Sequence, residues 1–159
     1  MTRISSFPPI EDEFSHILIL GSMASIKSLE AGEFYAHPQN QFWKIIFALT
    51  GEEPTKDYEE KKRILKKHHI ALCDVLAHCV RPGSMDADIT DPVPNDLDAL
   101  FETHSIRAVF CNGQTTYKYY KKFFQNDLPV FCMPSTSPAN ARLRLEQKLE
   151  QWSLIKKYW

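Results

Sequence analysis

The densest group of side chains that could do chemistry runs from Tyr35 to Trp43. Within nine residues it holds a tyrosine, a histidine, three side-chain amides and two more aromatic rings. Aromatic rings stack on nucleobases and amides hydrogen-bond to base edges, so the segment has the residue types that base recognition requires. A structural interpretation also stands. Phe42 and Trp43 begin an amphipathic stretch and should pack inward, and Asn40 is a favoured helix N-cap residue.

Two further segments have the composition of ligand-binding loops. Residues 21–25 read Gly-Ser-Met-Ala-Ser, in which Gly21 permits a tight turn and small side chains let a ligand approach the backbone. This segment lacks the lysine of a Walker loop. Residues 133–138 read Met-Pro-Ser-Thr-Ser-Pro, and their hydroxyl and N–H groups could bind phosphate ahead of a helix N-terminus. As alternatives, the first is an ordinary turn and the second a helix cap.

Apolar runs and amphipathic stretches alternate along the chain and predict the elements that position these segments. Strands are predicted at residues 16–20, 71–76, 108–111 and 130–133. Helices are predicted at residues 40–50, 58–69, 95–104, 115–124 and 140–158. This alternation predicts a single α/β domain over residues 1–159, a three-layer sandwich with a mainly parallel four-stranded sheet flanked by helices.

Ligands of such sheets bind beyond the carboxyl ends of the strands. That rule selects four segments that should converge on one cleft, at residues 21–28, 77–91, 112–116 and 134–140. Within the second of them, Arg81 could contact a phosphate or a base. We expect the acidic run of Asp86, Asp88 and Asp91 to form a solvated rim away from DNA.

Composition excludes several classes of protein. With 159 residues, 43% hydrophobic and 12% aromatic, the chain can bury a core and is not disordered. The longest apolar run, residues 17–20, is too short to span a membrane, and the polar start does not resemble a signal peptide, so we expect a cytoplasmic protein. The pI of 6.6 excludes tight bulk coating of DNA, but not binding by a few local groups.

The cysteines and histidines do not have the spacing of metal ligands. There is no C-x-x-C pair and no H-E-x-x-H pattern, so we expect neither a metal nor a cofactor. The cysteines are expected to be reduced thiols that act as small core residues; they are Cys73, Cys79, Cys111 and Cys132.

These motifs together resemble the uracil-DNA glycosylase superfamily. Residues 35–44 resemble the corresponding segment of the mismatch-specific uracil-DNA and thymine-DNA glycosylases, and residues 21–25 and 133–138 fall where the superfamily has its two active-site motifs. The likeness covers nearly the whole chain. It is closest to the hypoxanthine-DNA (deoxyinosine) glycosylase branch, through Gly-Ser-Met at 21–23, His-Pro-Gln-Asn at 37–40 and Pro-Ser-Thr-Ser-Pro-Ala at 134–139.

The resemblance implies a monofunctional DNA glycosylase of base-excision repair. Such an enzyme would hydrolyse the N-glycosidic bond of a flipped deaminated base, above all hypoxanthine, in damaged double- or single-stranded DNA. It would act as a monomer. Two alternatives stay open: a uracil or G·U-mismatch glycosylase, and a non-catalytic DNA- or nucleotide-binding module on the same fold.

The resemblance also implies roles for individual residues. Met23 stands where mismatch glycosylases carry a water-positioning asparagine, so the catalytic role passes to Asn40. Tyr35 would stack on the flipped base, which the backbone of Ser22 and Met23 and the side chain of Asn112 would bind. The expected DNA contacts are Ser25, Ser135, Thr136, Ser137, Pro138 and Arg142, with Pro138 or a neighbour filling the gap left by the base.

Overall fold

The computed structural model describes residues 2–140 and 142–159. The elements follow one another as β1 (Arg3–Ser5), β2 (Ile17–Gly21), α1 (Ile26–Ala31), α2 (Phe42–Thr50), α3 (Tyr58–Lys67), β3 (Ile70–Asp74), β4 (Leu76–Val80), β5 (Thr90–Pro94), α4 (Leu97–Thr103), β6 (Ala108–Asn112), α5 (Gln114–Phe123), β7 (Val130–Met133) and α6 (Leu145–Trp152). Two 3₁₀ turns lie at Asp86–Asp88 and Ser153–Lys157.

The central sheet has four parallel strands in the order β3-β2-β6-β7, with helices packed on it. Every residue of β2 and β3 is buried, which is why both strands are continuous apolar runs in the sequence. The register pairs Gly21 with Asp74 and Asn112 with Met133, so the carboxyl ends of the strands meet at one edge. The predicted fold class is confirmed.

A second, antiparallel sheet of the order β1-β4-β5 was not predicted. The predicted strand at 71–76 is two strands of different sheets, with Val75 between them. The segment 77–91 is therefore strand, 3₁₀ turn and strand rather than a loop. Sequence patterns missed β5 because it is mostly exposed and contains Pro92 and Pro94, which a strand tolerates at a sheet edge.

Two helices begin later in the structure than the apolar pattern predicts. The helix predicted from residue 40 begins at Phe42, and the one predicted from residue 140 begins at Leu145. Helix α1 begins within the segment 21–28, which was predicted as a loop, and continues to Ala31. It has only six residues between its Ser25 cap and left-handed Gly32, which is too short to show helical periodicity.

The core confirms the inward packing of Phe42 and Trp43, which are 1% and 6% exposed. All four cysteines are free. Three of them are buried as expected, whereas Cys132 is exposed at the sheet edge. No helix in residues 2–140 and 142–159 is long and apolar enough to cross a membrane.

Candidate active site

One cleft of about 860 Å³ opens at the carboxyl edge of the parallel sheet. All four segments selected from the sequence contribute to its lining, together with part of the turn from Tyr35 to Asn40. The structure therefore brings every predicted site residue into one place: Ser22, Met23, Ser25, Tyr35, Asn40, Asn112, Ser135, Thr136, Ser137, Pro138 and Arg142.

The loop after β2 is held from behind by Arg81. This side chain is 5% exposed, and its guanidinium donates to the carbonyls of Ala24 at 2.6 Å and Met23 at 3.4 Å. The expectation that Arg81 contacts DNA is wrong. Its role is structural, because its guanidinium donates hydrogen bonds to carbonyls inside the protein. The Asp86 carboxylate borders the cleft and accepts from Ser22 Oγ at 2.7 Å, so this member of the acidic run lies at the site. Asp88 and Asp91 are exposed and do not line the cleft, as expected of a solvated rim.

The carbonyls of this loop are fixed by hydrogen bonds and the Ala24 N–H acts on the Asp74 carboxyl, but the first two backbone donors of the loop are not fixed. Among the described residues, the N–H groups of Ser22 and Met23 donate no hydrogen bond within the protein. Ser25 differs, because its hydroxyl accepts from Ser28 N at 3.2 Å and so caps α1. The loop thus presents backbone donors at the cleft, as base binding by Ser22 and Met23 would require.

The Asn112 side chain joins three segments at the base of the cleft. Its Nδ2 donates to Tyr35 Oη at 3.1 Å and to Thr136 Oγ1 at 2.9 Å, and its Oδ1 accepts from Thr136 N at 3.0 Å. Thr136 is 1% exposed. The polar groups of these two residues therefore hold the loops together, while direct contacts of either with DNA stay predictions.

Tyr35 adopts a backbone conformation that is unusual for a residue with a side chain. Its φ is +56°, in the left-handed region, which costs on the order of 1–3 kcal/mol. One face of its ring stacks on Phe42 with centroids 4.2 Å apart. Burial, and then the nearby Asp74 carboxyl, raise the pKa of its hydroxyl, which remains protonated. Such local strain is common at ligand sites.

Asn40 is positioned by the turn that precedes α2. Its Oδ1 accepts from Phe42 N at 2.9 Å, and its own N–H donates to the His37 carbonyl at 3.0 Å. Gln41, rather than Asn40, is the N-cap residue of α2. The local bond fixes the orientation of the amide at the cleft wall and leaves Nδ2 without an acceptor among the described residues. An oxygen with two lone pairs can also accept a second hydrogen.

The loop after β7 is folded by its own hydroxyls and leaves its tip exposed. Ser135 Oγ accepts from Ser137 N and Ser137 Oγ accepts from Ala139 N, both at 3.2 Å. Pro138 and Ala139 at the tip are exposed, as is Arg142 further along the cleft wall. A loop with internal hydrogen bonds and an exposed apolar tip beside an arginine suits contact with a nucleic-acid backbone.

Lys148, which the sequence analysis missed, connects this loop to the Asn40 turn. It is 2% exposed, and its Nζ donates to Gln41 Oε1 at 2.8 Å and to the Asn140 carbonyl at 3.0 Å. Loss of hydration on burial lowers the pKa of this ammonium group. The helical pattern does indicate that Lys148 is buried, because it lies on the apolar face of α6 between Leu145 and Trp152.

Replacement of Lys148 by methionine is expected to loosen both loops without unfolding the protein. It removes a costly buried charge but leaves two oxygens without a donor, so the free energy of unfolding should fall by about 1–3 kcal/mol. The reaction at this cleft should slow by about tenfold or more, because a small misplacement of reacting groups is costly. Thermal unfolding and single-turnover kinetics measure both, with exposed Lys156→Met as the control. Unchanged kinetics would contradict the positioning role.

Asp74 is the second functional candidate that the sequence analysis missed. It ends β3, is 3% exposed, borders the cleft, and accepts from Ser6 Oγ at 2.6 Å. Burial raises the pKa of its carboxyl to about 6, partly opposed by the Ser6 hydroxyl. The sequence did contain a signal for this residue, which is an acidic side chain at the end of an apolar strand. Acidic side chains are rarely buried unless they are paired or lie at a functional site.

A parallel α/β fold whose strand-end cleft joins these three motifs defines a protein of the uracil-DNA glycosylase type. The chain belongs to the Uracil DNA glycosylase superfamily, whose family model matches residues 8–156.

Named relatives agree with this membership. The chain is 33% identical to a Hypoxanthine DNA glycosylase of Methanosarcina acetivorans over 151 residues, covering 94% of this chain and 95% of the relative. It is 30% identical to a Hypoxanthine DNA glycosylase of Methanosarcina barkeri over 149 residues, covering 92% and 94%. The solution NMR structure of a candidate uracil DNA glycosylase from Methanosarcina acetivorans matches with a TM-score of 0.85 and 31% identity. That match covers 97% of this chain and 96% of that one.

Proposed function

We propose that this protein is a DNA glycosylase of base-excision repair that releases hypoxanthine from DNA. The observation that carries the proposal is the convergence of Asn40, the loop after β2 and the loop after β7 on one cleft. Its volume of about 860 Å³ can admit a flipped nucleotide. The relatives named Hypoxanthine DNA glycosylase support hypoxanthine as the base.

DNA binding would use the exposed side of the loop after β7. The hydroxyls of Ser135 and Ser137 and the guanidinium of Arg142 would contact phosphates that flank the lesion. Exposed Pro138 would occupy the space that the flipped base leaves in the duplex. The base would then enter between the Tyr35 ring and the backbone donors of Ser22 and Met23.

Hydrolysis breaks the bond between the sugar C1′ and the base nitrogen. The bonding electrons leave with the base, a water oxygen bonds to C1′, and one water proton is released as the base takes up a proton. The transition state has positive charge on the sugar, as in other glycoside hydrolyses. Asn40 Oδ1, held by Phe42 N, has a second lone pair that can accept from the water and direct the water oxygen at C1′.

A single-lesion panel tests this function. Duplex and single-stranded oligonucleotides that contain hypoxanthine, uracil or xanthine would be treated with enzyme in EDTA and then with alkali. We expect strand cleavage at hypoxanthine, unaffected by EDTA, and much less at uracil, because Met23 cannot hydrogen-bond water usefully. Cleavage at uracil instead would favour the uracil glycosylase, and a mobility shift without cleavage would favour a binding module.

The same proposal includes a monomeric, cytoplasmic enzyme that needs no metal or cofactor. Light scattering of the protein alone and with a lesion duplex measures its oligomeric state. A second protein copy in either sample would contradict the monomer.

A further inference from the structure

The Asp74 carboxyl has one oxygen held by the Ser6 hydroxyl and a second that faces Gly21. Oδ2 accepts from Ser6 Oγ at 2.6 Å, and the Ala24 N–H also acts on the carboxyl and lowers its pKa. Oδ1 lies over Gly21, 2.5 Å from the position that a Cβ on that residue would take. Because Asp74 and Gly21 both line the cleft, this oxygen stands beside the space for the base.

The backbone donors of the first loop lie next to that oxygen. Gly21 and Asp74 are directly paired in the parallel sheet, and the chain continues from Gly21 to Ser22 and Met23, whose N–H groups have no acceptor among the described residues. The cleft thus places one carboxylate acceptor side by side with backbone donors. A ligand that fits this pair has its own donor and acceptor on adjacent atoms.

We propose that Asp74 is a specificity-determining residue that accepts the ring N–H created by deamination, while the backbone of Ser22 and Met23 binds the adjacent carbonyl. The inference rests on the proposed glycosylase function. Deamination turns an amino group beside a bare ring nitrogen into a carbonyl beside a ring N–H. Hypoxanthine therefore presents N1–H and O6 where adenine presents a bare N1 and an amino group.

An ionised carboxylate distinguishes hypoxanthine from adenine because it can only accept hydrogen bonds. It bonds to the N1–H of hypoxanthine and faces the lone pair of N1 in adenine, which leaves a buried charge unpaired. Sites built to hydrogen-bond one group reject analogues that lack it by about 10⁴–10⁵-fold. Undamaged adenine would be refused by the same contact that holds the lesion.

The required ionisation state gives the proposal a pH dependence. The charged and titratable groups near Asp74 are Asp86, which raises its pKa, Arg81, which lowers it, and the neutral Tyr35 and Cys73. Since the pKa lies at about 6, the carboxylate form is lost as the pH falls through that value. Excision of hypoxanthine should therefore decline on the acidic side of about pH 6.

The test compares Asp74→Asn with Ser6→Ala in single-turnover excision from hypoxanthine and adenine duplexes, at about pH 5 to 8. Asp74→Asn should slow hypoxanthine release by about 100-fold or more. The rate of this variant should no longer fall below about pH 6, and the ratio of its rates with hypoxanthine and adenine should be smaller than in the wild type. Ser6→Ala keeps the carboxyl and removes a hydrogen bond that lowers the pKa of Asp74, so the acidic decline in its rate should move to higher pH.

Two results would overturn the inference. One is an Asp74→Asn variant within about threefold of the wild-type rate at neutral pH. The other is a wild-type rate that is flat across the acidic range, which needs no variant to fold. The proposed function fails separately, if the wild-type protein releases no hypoxanthine at any pH.

Discussion

Asn40→Ala is expected to slow single-turnover release of hypoxanthine by about 100- to 1000-fold. The amide stands at the cleft wall in an orientation fixed by Phe42 N at 2.9 Å, and the variant would lose the proposed hydrogen bond that directs the attacking water. Loss of one preoriented polar group at a reacting centre typically costs this much. Binding of the lesion duplex should be nearly unchanged, because the proposed phosphate contacts are made by other residues. Rate and affinity are measured separately, by single-turnover kinetics and anisotropy.

Asn40→Ala also removes a local bond at the start of α2, so a matched control is needed. Asp57 makes the same bond at the start of α3, where its Oδ1 accepts from Glu59 N at 3.0 Å. Asp57→Ala should lose about 1 kcal/mol of stability, as cap removal does, and keep full activity. If both variants lose equal activity, the effect of Asn40→Ala is structural and the catalytic role is wrong.

Asn40→Asp then shows which atom of the amide matters. Aspartate keeps an oxygen for Phe42 N and for the water, but it loses the Nδ2 donor. If the oxygen orients the water, Asn40→Asp should retain much more activity than Asn40→Ala. Equal loss in both variants would contradict orientation through the oxygen.

The sequence predicted the central sheet because that sheet is simple. Strands β2, β3 and β6 are buried on both faces, so each appears as a continuous apolar run that ends at a small or polar residue. The second sheet left no such pattern. Strands β1 and β5 are mostly exposed and so lack an apolar run. Strand β4 follows β3 after only one residue, so a single apolar run in the sequence contains two strands that belong to different sheets. The boundary between β3 and β4 can be seen only from the strand pairing in the folded protein.

The candidate site was predictable to the extent that its residues stand in motifs. The segments around Asn40, Ser22 and Ser135 carry contiguous patterns, and the rule for strand ends brings them together. Asp74 ends an apolar strand and Lys148 lies on the apolar face of a polar helix, both outside any motif, and nothing in the sequence shows which atoms face them. Arg81 shows the converse, because a charge in a loop suggests solvent, but the fold encloses it beneath carbonyls.

Gly21→Ala is expected to abolish most hypoxanthine release, by about 100-fold or more, in a protein that still folds. An added Cβ would lie 2.5 Å from Asp74 Oδ1 and 2.9 Å from Tyr35 Oη, distances that real Cβ contacts essentially never show. Overpacking of this kind costs about 1–3 kcal/mol. The carboxyl and the phenol must move from the cleft, and a displacement of about 1 Å is enough to cost 100-fold in rate.

Gly83→Ala is the matched control, because its added Cβ would meet nothing within 4 Å and its φ is not positive. It also lies in a segment that borders the site. Thermal unfolding and single-turnover excision of both variants separate lost stability from lost geometry. Gly21→Ala should lose far more activity than its stability change explains, and Gly83→Ala should lose neither. A fully active Gly21→Ala would mean that Asp74 and Tyr35 can withdraw from the cleft without consequence, and that neither one contacts the base.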